Sequence, residues 1–340
     1  MRNPLYVIGL GIMVASCGSQ NNVQKNTVKA KTPVSNINTP PKPLAKVPLK
    51  KVVQREGNND FYRVNIADVT KNDNTISYGS IVSANPPGYK VVKTFFPAVG
   101  QNFRQKYIIL HYTALDDDKS VRVLTEQSVS SHYLVNNLGD REIYQLVDEN
   151  KRAYHAGISA WKNDKMLNDT SIGIEIVNSG YTVDASNNRI FPEFDDKQVQ
   201  KVAALVKDIA NRYMISPNNI LGHSDIAPTR KQDPGPKFPW KKLYQQHQIG
   251  MWYDEATKEN FLNQIMLEDH AFQMTTPPYI FKVQTALKKL GYDINPSGSY
   301  DDATKKTVEA FQFHFRPENF DGLMDTESWA ILQALNQKYP

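Results

Sequence analysis

Cysteine is almost absent from this chain of 340 residues, in which Cys17 is the only one. An intramolecular disulfide and a metal site built from several thiolates are therefore excluded. The globular part also lacks the HExxH helix of many zinc proteases, the GxSxG turn of serine hydrolases and a glycine-rich phosphate loop ending in Lys-Ser or Lys-Thr. Any catalytic chemistry must use a less common arrangement of residues.

Acidic residues are missing from the first 55 positions, which carry nine lysines and arginines. Because the whole chain has a formal net charge of +5, residues 56–340 carry −4. The basic character belongs to the N-terminal segment, and the rest of the chain is mildly acidic. This distribution argues against nucleic acid as a partner, since phosphate binding needs a basic patch on the folded surface.

The apolar run at the N-terminus, Leu5–Ala15, is too short to cross a membrane. As a helix it would rise about 16 Å, whereas the hydrocarbon core of a bilayer is about 30 Å thick. The run follows Arg2, an order typical of a secretory signal peptide, and we expect such a signal over residues 1–16. A plain signal peptide with an incidental Cys17 is the alternative.

The stretch VASC, residues 14–17, resembles a bacterial lipoprotein box, although Val14 stands where leucine is usual. The resemblance implies that Cys17 is lipidated and becomes the mature N-terminus. Gly18, rather than an aspartate, follows Cys17, and in this the sequence resembles lipoproteins that are sorted to the outer membrane. The resemblance implies a location in that membrane, facing the periplasm. Residues 17–56, rich in Asn, Lys, Pro and Thr, predict a disordered tether because they have little apolar surface to bury.

From about residue 57 the pattern predicts an α/β domain that runs to residue 270. Two strands are expected from β-branched and alternating residues over 106–113 and 171–178. A hairpin is expected from residues 131–137 and 141–147. Residues 195–214 have apolar side chains at helical spacing, which predicts an amphipathic helix that covers the sheet.

Residues 276–340 predict a separate module of three short helices. The helices are expected over residues 279–290, where Gly291 would act as the C-terminal cap, from about Asp301, and from about Asp325. No titratable residues cluster within this segment of the sequence. It is therefore interpreted as a binding or packing module.

The stretch GHSDIAPTRKQDPGP, residues 222–236, fits neither a helix nor a strand pattern. It begins with a histidine, has an aspartate ten positions later, and contains three prolines that restrict the backbone. His223 and Asp233, together with His111 at the end of the first strand, would supply the three protein ligands of a catalytic zinc site. Spacing alone leaves open that all three are ordinary core or surface residues.

Two further residues have the chemistry that such a site needs. Glu175, on the strand face opposite the isoleucines, would accept a proton from the attacking water, and Lys231 would stabilise an oxyanion. The alternatives are a sheet carboxylate in a salt bridge and a solvated lysine. The residues alone indicate a hydrolase and leave its substrate open.

Three stretches resemble the zinc-dependent N-acetylmuramoyl-L-alanine amidases: LHYT with His111, SIGIEIVN with Glu175, and the 222–236 loop. The resemblance is nearest to the outer-membrane lipoprotein branch of that family, and it implies a mixed central sheet flanked by helices. It also implies that His111, His223 and Asp233 bind Zn²⁺ and that Glu175 and Lys231 are catalytic. His155, in AYHAG, corresponds to a segment near the substrate groove and is assigned to substrate binding.

The last 65 residues resemble the three-helix peptidoglycan-binding module, although the connection RPENFDG is longer than usual. A module that only packs on the catalytic domain is the alternative.

The implied activity is hydrolysis of the amide between N-acetylmuramic acid and L-alanine, with peptidoglycan and muropeptides as partners and a monomer as the expected state. A non-catalytic peptidoglycan receptor or tether, and another metal-dependent amidase or peptidase, stay open as alternatives.

Overall fold

The computed structural model describes residues 86–90, 100, 102–266 and 275–340. The signal peptide, lipidated Cys17 and tether predicted for residues 1–56 lie outside the described residues. All described residues belong to one compact unit, Gly57–Pro340. Within them, no helix combines the length and apolarity needed to cross a bilayer.

The central element is a five-stranded sheet in the order β3-β2-β6-β1-β9. Only β2 and β3 pair antiparallel, so the sheet is mixed, in agreement with the sequence-based expectation. Two small hairpins, β4-β5 and β7-β8, lie outside this sheet, and each of their strands has two residues. The strands are β1 Tyr107–Tyr112, β2 Tyr133–Val135, β3 Tyr144–Gln145, β4 Ala160–Trp161, β5 Asp164–Lys165, β6 Ser171–Ile176, β7 Thr182–Val183, β8 Arg189–Ile190 and β9 Ile220–Gly222.

Eight α-helices occur in the described residues, and two 3-10 turns accompany them at Leu167–Asp169 and Pro217–Asn219. The helices are α1 Asp117–Glu126, α2 Asp196–Tyr213, α3 His223–Ile226, α4 Trp240–His247, α5 Glu255–Met266, α6 Pro277–Leu290, α7 Asp302–Phe315 and α8 Thr326–Lys338. The amphipathic helix predicted over 195–214 is α2, whose N-cap Asp195 accepts hydrogen bonds from the backbone of Lys197 and Gln198.

The two inner strands place the candidate residues at one edge of the sheet. β1 and β6 are parallel, and His111 pairs in register with Glu175. Both residues lie near the carboxyl ends of their strands, and β9, on the other side of β1, leads directly into His223. Because parallel strands end at the same edge, three chain segments far apart in sequence converge there.

The predicted hairpin is present, but its strands are shorter than the sequence pattern predicted. Tyr133 pairs with Gln145, and the last pair before the turn is Leu134 with Tyr144. Beyond this pair, the side chain of Asn136 accepts from the backbone of Leu138, and Asp140 accepts from Glu142. Such side-chain hydrogen bonds compete with the strand ladder, which explains why pairing stops early.

The three predicted C-terminal helices are α6, α7 and α8. Gly291 caps α6 as expected, while Asp301 and Asp325 cap the next two helices by accepting from backbone amides. The buried apolar residues of the sheet, α2 and these three helices form one continuous core. The catalytic part and the C-terminal module are therefore packed together.

Candidate active site

Three buried side chains meet at the carboxyl edge of the sheet. His111 Nδ1 lies 2.9 Å from His223 Nδ1 and 2.9 Å from Asp233 Oδ2, and His223 Nδ1 lies 3.0 Å from the same carboxylate oxygen. These atoms form a cluster that fits a metal ion, and the predicted ligand trio is therefore brought together as expected.

The donor set matches a divalent metal of the zinc type. Two ligands bound tetrahedrally at about 2.0–2.1 Å are roughly 3.3 Å apart, which is close to the distances observed here. Burial, and next the neighbouring His223, lower the pKa of His111 to about 4, although Asp233 opposes them. The imidazole is consequently neutral at physiological pH, which is the form that binds metals. Burial alone would raise the pKa of Asp233, but the two histidines outweigh that effect and lower it.

The far nitrogens of both histidines are fixed by protein groups. His223 Nε2 lies 3.1 Å from the carbonyl oxygen of Ala156, and His111 Nε2 lies 3.0 Å from His155 Nδ1. Since a carbonyl only accepts, the tautomer of His223 that carries its proton on Nε2 satisfies this contact and presents a lone pair on Nδ1. This is the arrangement in which a neighbouring group holds a metal-binding imidazole in one tautomer and orientation.

The same reasoning extends from His111 through His155. The His155 Nε2 atom lies 3.2 Å from Ser171 Oγ, whose hydroxyl donates to the carbonyl of Leu167 at 2.5 Å. If Ser171 donates to Leu167, its oxygen accepts from His155 Nε2, and His155 Nδ1 then accepts from His111 Nε2. In this arrangement His111 Nδ1 carries no proton. Gly173 makes room for the His155 ring, because a Cβ there would lie 2.3 Å from it.

His155 is among the residues that line the cavity above the site, but both of its ring nitrogens face protein atoms. Its substrate-binding role stays a prediction. The contacts given by the structure favour a role in orienting His111.

Glu175 lies on the wall of the same cavity, adjacent in register to His111. Burial raises the pKa of the Glu175 carboxyl well above its usual range, the charge of Asp233 raises it further, and Lys231 opposes both effects. Its Oε2 atom is buried and has no hydrogen-bond partner among the described residues. A carboxyl group left unpaired beside a metal-ligand cluster is suited to proton transfer.

Lys231 lines this cavity, which has a volume of about 400 Å³. It therefore shares an open space with Glu175 and the ligand trio, as the sequence-based assignment requires. The preceding residue, Arg230, donates to the carbonyls of Ala156 and Ile158 at 2.7 and 2.9 Å. These bonds tie the 222–236 loop to the segment that carries His155.

Sequence reasoning missed two features of the site. Arg230 was not singled out, and its contacts with backbone carbonyls left no signal in the sequence. Asp225, two positions after His223, accepts hydrogen bonds from the C-terminal module, where Tyr292 and His314 had not been singled out. His314 lies between Phe313 and Phe315 on α7, which was the one available sign that it is buried.

The site lies at the carboxyl edge of a mixed sheet and combines a His-His-Asp cluster with a glutamate and a lysine. These features are those of a hydrolase with a metal site, and comparison with known proteins identifies the family. Residues 101–236 match the family model of N-acetylmuramoyl-L-alanine amidases. Residues 277–332 match a model of a peptidoglycan binding domain. The two matches cover the segments that the sequence resemblance indicated.

The chain is similar to the N-acetylmuramoyl-L-alanine amidase AmiD of Escherichia coli strain K12, with 44% identity over 241 residues, 69% of this chain and 84% of that protein. A solved structure of E. coli AmiD, in complex with the substrate anhydro-N-acetylmuramic acid-L-Ala-D-γ-Glu-L-Lys, matches with a TM-score of 0.68 and 40% identity, and covers 75% of this chain and 97% of that one. AmpDH3 of Pseudomonas aeruginosa, in complex with anhydromuramic pentapeptide, matches with a TM-score of 0.63 and 38% identity over 76% of this chain and all of that one. The chain belongs to the N-acetylmuramoyl-L-alanine amidase family.

Proposed function

We propose that this protein is a zinc-dependent peptidoglycan hydrolase that cleaves the amide between N-acetylmuramic acid and the L-alanine of the stem peptide. The single observation that carries the proposal is the buried His111, His223 and Asp233 cluster, which shares one cavity with Glu175 and Lys231. A receptor that only binds the cell wall needs neither an unpaired carboxyl group nor a lysine beside a metal-ligand cluster.

A zinc ion, when bound, supplies a Lewis acid and lowers the pKa of water so that hydroxide forms near neutral pH. Glu175 accepts the proton of the attacking water as the water oxygen bonds to the carbonyl carbon of the muramyl lactyl group. The carbon–nitrogen bond then breaks, and the same proton passes from Glu175 to the leaving amine of L-alanine. The raised pKa of Glu175 suits the first of these steps, because it makes the carboxylate a stronger base towards the attacking water.

Lys231 stabilises the negative charge that develops on the former carbonyl oxygen. Lys231 is part of the cavity wall, where fewer water molecules screen a charge than in bulk solvent. The contribution is electrostatic and is present before the reaction starts.

The C-terminal module is proposed to bind peptidoglycan, and its match to a peptidoglycan binding domain supports this. The complexes of AmiD and AmpDH3 contain anhydromuramyl peptides, which makes muropeptides the substrate class to test here.

We also propose that Cys17 anchors the chain in an outer membrane with the amidase facing the periplasm, because VASC followed by Gly18 has the lipoprotein pattern. Membrane fractionation of the Cys17→Ala variant tests this proposal. Recovery of the variant in the membrane fraction at the level of the parent would contradict it.

Mass spectrometry of digested peptidoglycan tests the activity directly. The proposal predicts free stem peptides and glycan strands without peptides, with activity lost after chelation and restored by added zinc. Smaller peptide fragments would instead indicate a peptidase, and no products would indicate a receptor. The Glu175→Ala variant separates catalysis from metal binding. We expect its rate of hydrolysis to be at least 10²-fold lower while its zinc content is unchanged.

A further inference from the structure

A buried carboxylate next to the metal-ligand cluster receives hydrogen bonds from the C-terminal module. Tyr292 donates its hydroxyl proton to Asp225 Oδ1 at 2.7 Å, and His314 Nδ1 lies 2.8 Å from Asp225 Oδ2. All three side chains are 1% exposed. Loss of such buried hydrogen bonds is costly, since water is not available to replace them.

Asp225 lies two positions after the proposed metal ligand His223, in the same short helix. It lies in the four-residue helix α3, which begins with His223, and its Oδ2 also accepts from the backbone of Gly222 at 2.8 Å. Both carboxylate oxygens are therefore used to hold the start of this helix. So short a helix has little stability of its own, and its orientation depends on such tertiary contacts.

The two donors from the module are themselves held in place. The Tyr292 ring packs edge-on against Trp161, with centroids 5.0 Å apart, and the His314 ring is stacked on Trp240 at 3.9 Å. Beside Tyr292, a Cβ on Gly291 would lie 2.4 Å from Trp161, so the backbone approaches that ring as closely as glycine permits. These ring contacts restrict the movement of both donors.

We propose that Tyr292 and His314 are positioning residues for the metal site, which act through Asp225 to hold His223 in its ligand geometry. The C-terminal module then has a second task besides binding the cell wall, because it completes the support of the catalytic centre. The inference rests on the proposed function, in which His223 binds zinc.

A purely structural contact leads to a different expectation. If the hydrogen bonds only join the two parts of the protein, their loss lowers the free energy of unfolding without changing metal affinity. Residues that orient metal ligands through hydrogen bonds typically alter the metal affinity by about 10- to 100-fold when they are removed. Zinc affinity of the folded protein therefore separates the two roles.

The Tyr292→Phe variant removes one hydroxyl group and keeps the ring against Trp161. We expect its zinc dissociation constant, measured by competition with a chelating dye, to rise about 10-fold. The absorption spectrum of the cobalt-substituted protein should change as well, because it reports ligand geometry. His314→Asn retains a donor near the position of Nδ1 and should keep more of the affinity than His314→Leu does.

Lys338→Gln is the matched control. Lys338 Nζ joins α8 to Tyr244 at 2.7 Å and to Asp254 at 2.5 Å, so its loss weakens contacts of the C-terminal module without touching Asp225. We expect a lower melting temperature with unchanged zinc affinity. Parental zinc affinity in both Tyr292→Phe and His314→Leu would overturn the positioning role and leave the proposed function intact. A parent protein that binds no zinc would overturn both.

Discussion

Lys231 and Arg230 are adjacent cations with different surroundings. Both residues line the cavity with Glu175, but the Arg230 guanidinium is used in hydrogen bonds to two backbone carbonyls, whereas the Lys231 ammonium group forms no hydrogen bond or ion pair among the described residues. A positive charge on the wall of a partly closed cavity stabilises an oxyanion more strongly than one in open solvent. This difference supports the electrostatic role proposed for the lysine.

Lys231→Met should lower kcat by about 10²- to 10³-fold, because it removes a group that acts mainly in the transition state. We expect the zinc content and the melting temperature to stay close to those of the parent. Steady-state hydrolysis of a purified muropeptide measures the effect. Lys237→Met is the control, since Lys237 forms an ion pair with the exposed Glu193 outside the cavity. Equal rates for the two variants would contradict the assignment.

Individual ligands were predictable because the 222–236 loop has an unusual composition with a clear chemical meaning. The residues that orient them were not, since hydrogen bonds such as those of His155 with His111 and with Ser171 depend on where distant segments meet. The sequence contains the participants but gives no distance between positions 111 and 155.

At the scale of elements, Glu149 joins α2 to the sheet. It accepts two hydrogen bonds from Arg212 at 2.6 Å, one from Tyr213 at 2.5 Å and one from Tyr133 on β2 at 2.6 Å. Burial alone would raise the pKa of Glu149, but the hydrogen bonds, first those of Arg212, outweigh burial and lower it. The ionised form therefore stabilises the folded state.

Glu149→Gln should lower the free energy of unfolding by about 1–3 kcal/mol at pH 7, because it leaves buried donors without their charged acceptor. A carboxyl group with a lowered folded-state pKa contributes stability above its unfolded pKa of about 4.5 and loses it as the pH falls through the folded value. The difference between variant and parent should consequently shrink below pH 4.5. Urea denaturation across this range measures it.

The exposed carboxylate Glu193 provides the comparison for that experiment. Its ion pair with Lys237 lies at the surface, where such pairs contribute little, so Glu193→Gln should unfold like the parent at every pH. A difference between Glu149→Gln and the parent that did not depend on pH would contradict the role given to the ionised carboxylate.

Elements with a clear apolar period were predicted within a few residues, while weakly patterned ones were missed. The long helix α2 and the strands β1 and β6 have many buried apolar side chains. By contrast, α1 buries only Ser120 and Leu124, and the hairpin β7-β8 has two residues a strand. A helix with one buried apolar residue has no stripe to detect.

At the scale of the whole molecule, the two parts share a core that the sequence could not reveal. Helix α5 packs on α8. The ring centroid of Phe320, from the long connection RPENFDG, lies 5.9 Å from that of Phe191 in the catalytic part. Arg189, whose side chain pairs with Glu309 of α7, lies over the Phe320 ring. The unusual length of this connection thus has a packing explanation, which depends on contacts between segments more than a hundred positions apart.

Anomalous X-ray scattering at the zinc absorption edge, from crystals of the protein grown with zinc, tests the central claim most directly. The account predicts one strong peak at about 2.0–2.2 Å from His111 Nδ1, His223 Nδ1 and a carboxylate oxygen of Asp233, with a fourth position free for water. A zinc-loaded crystal with no peak between these three side chains, or with the ion held by other residues, would contradict it.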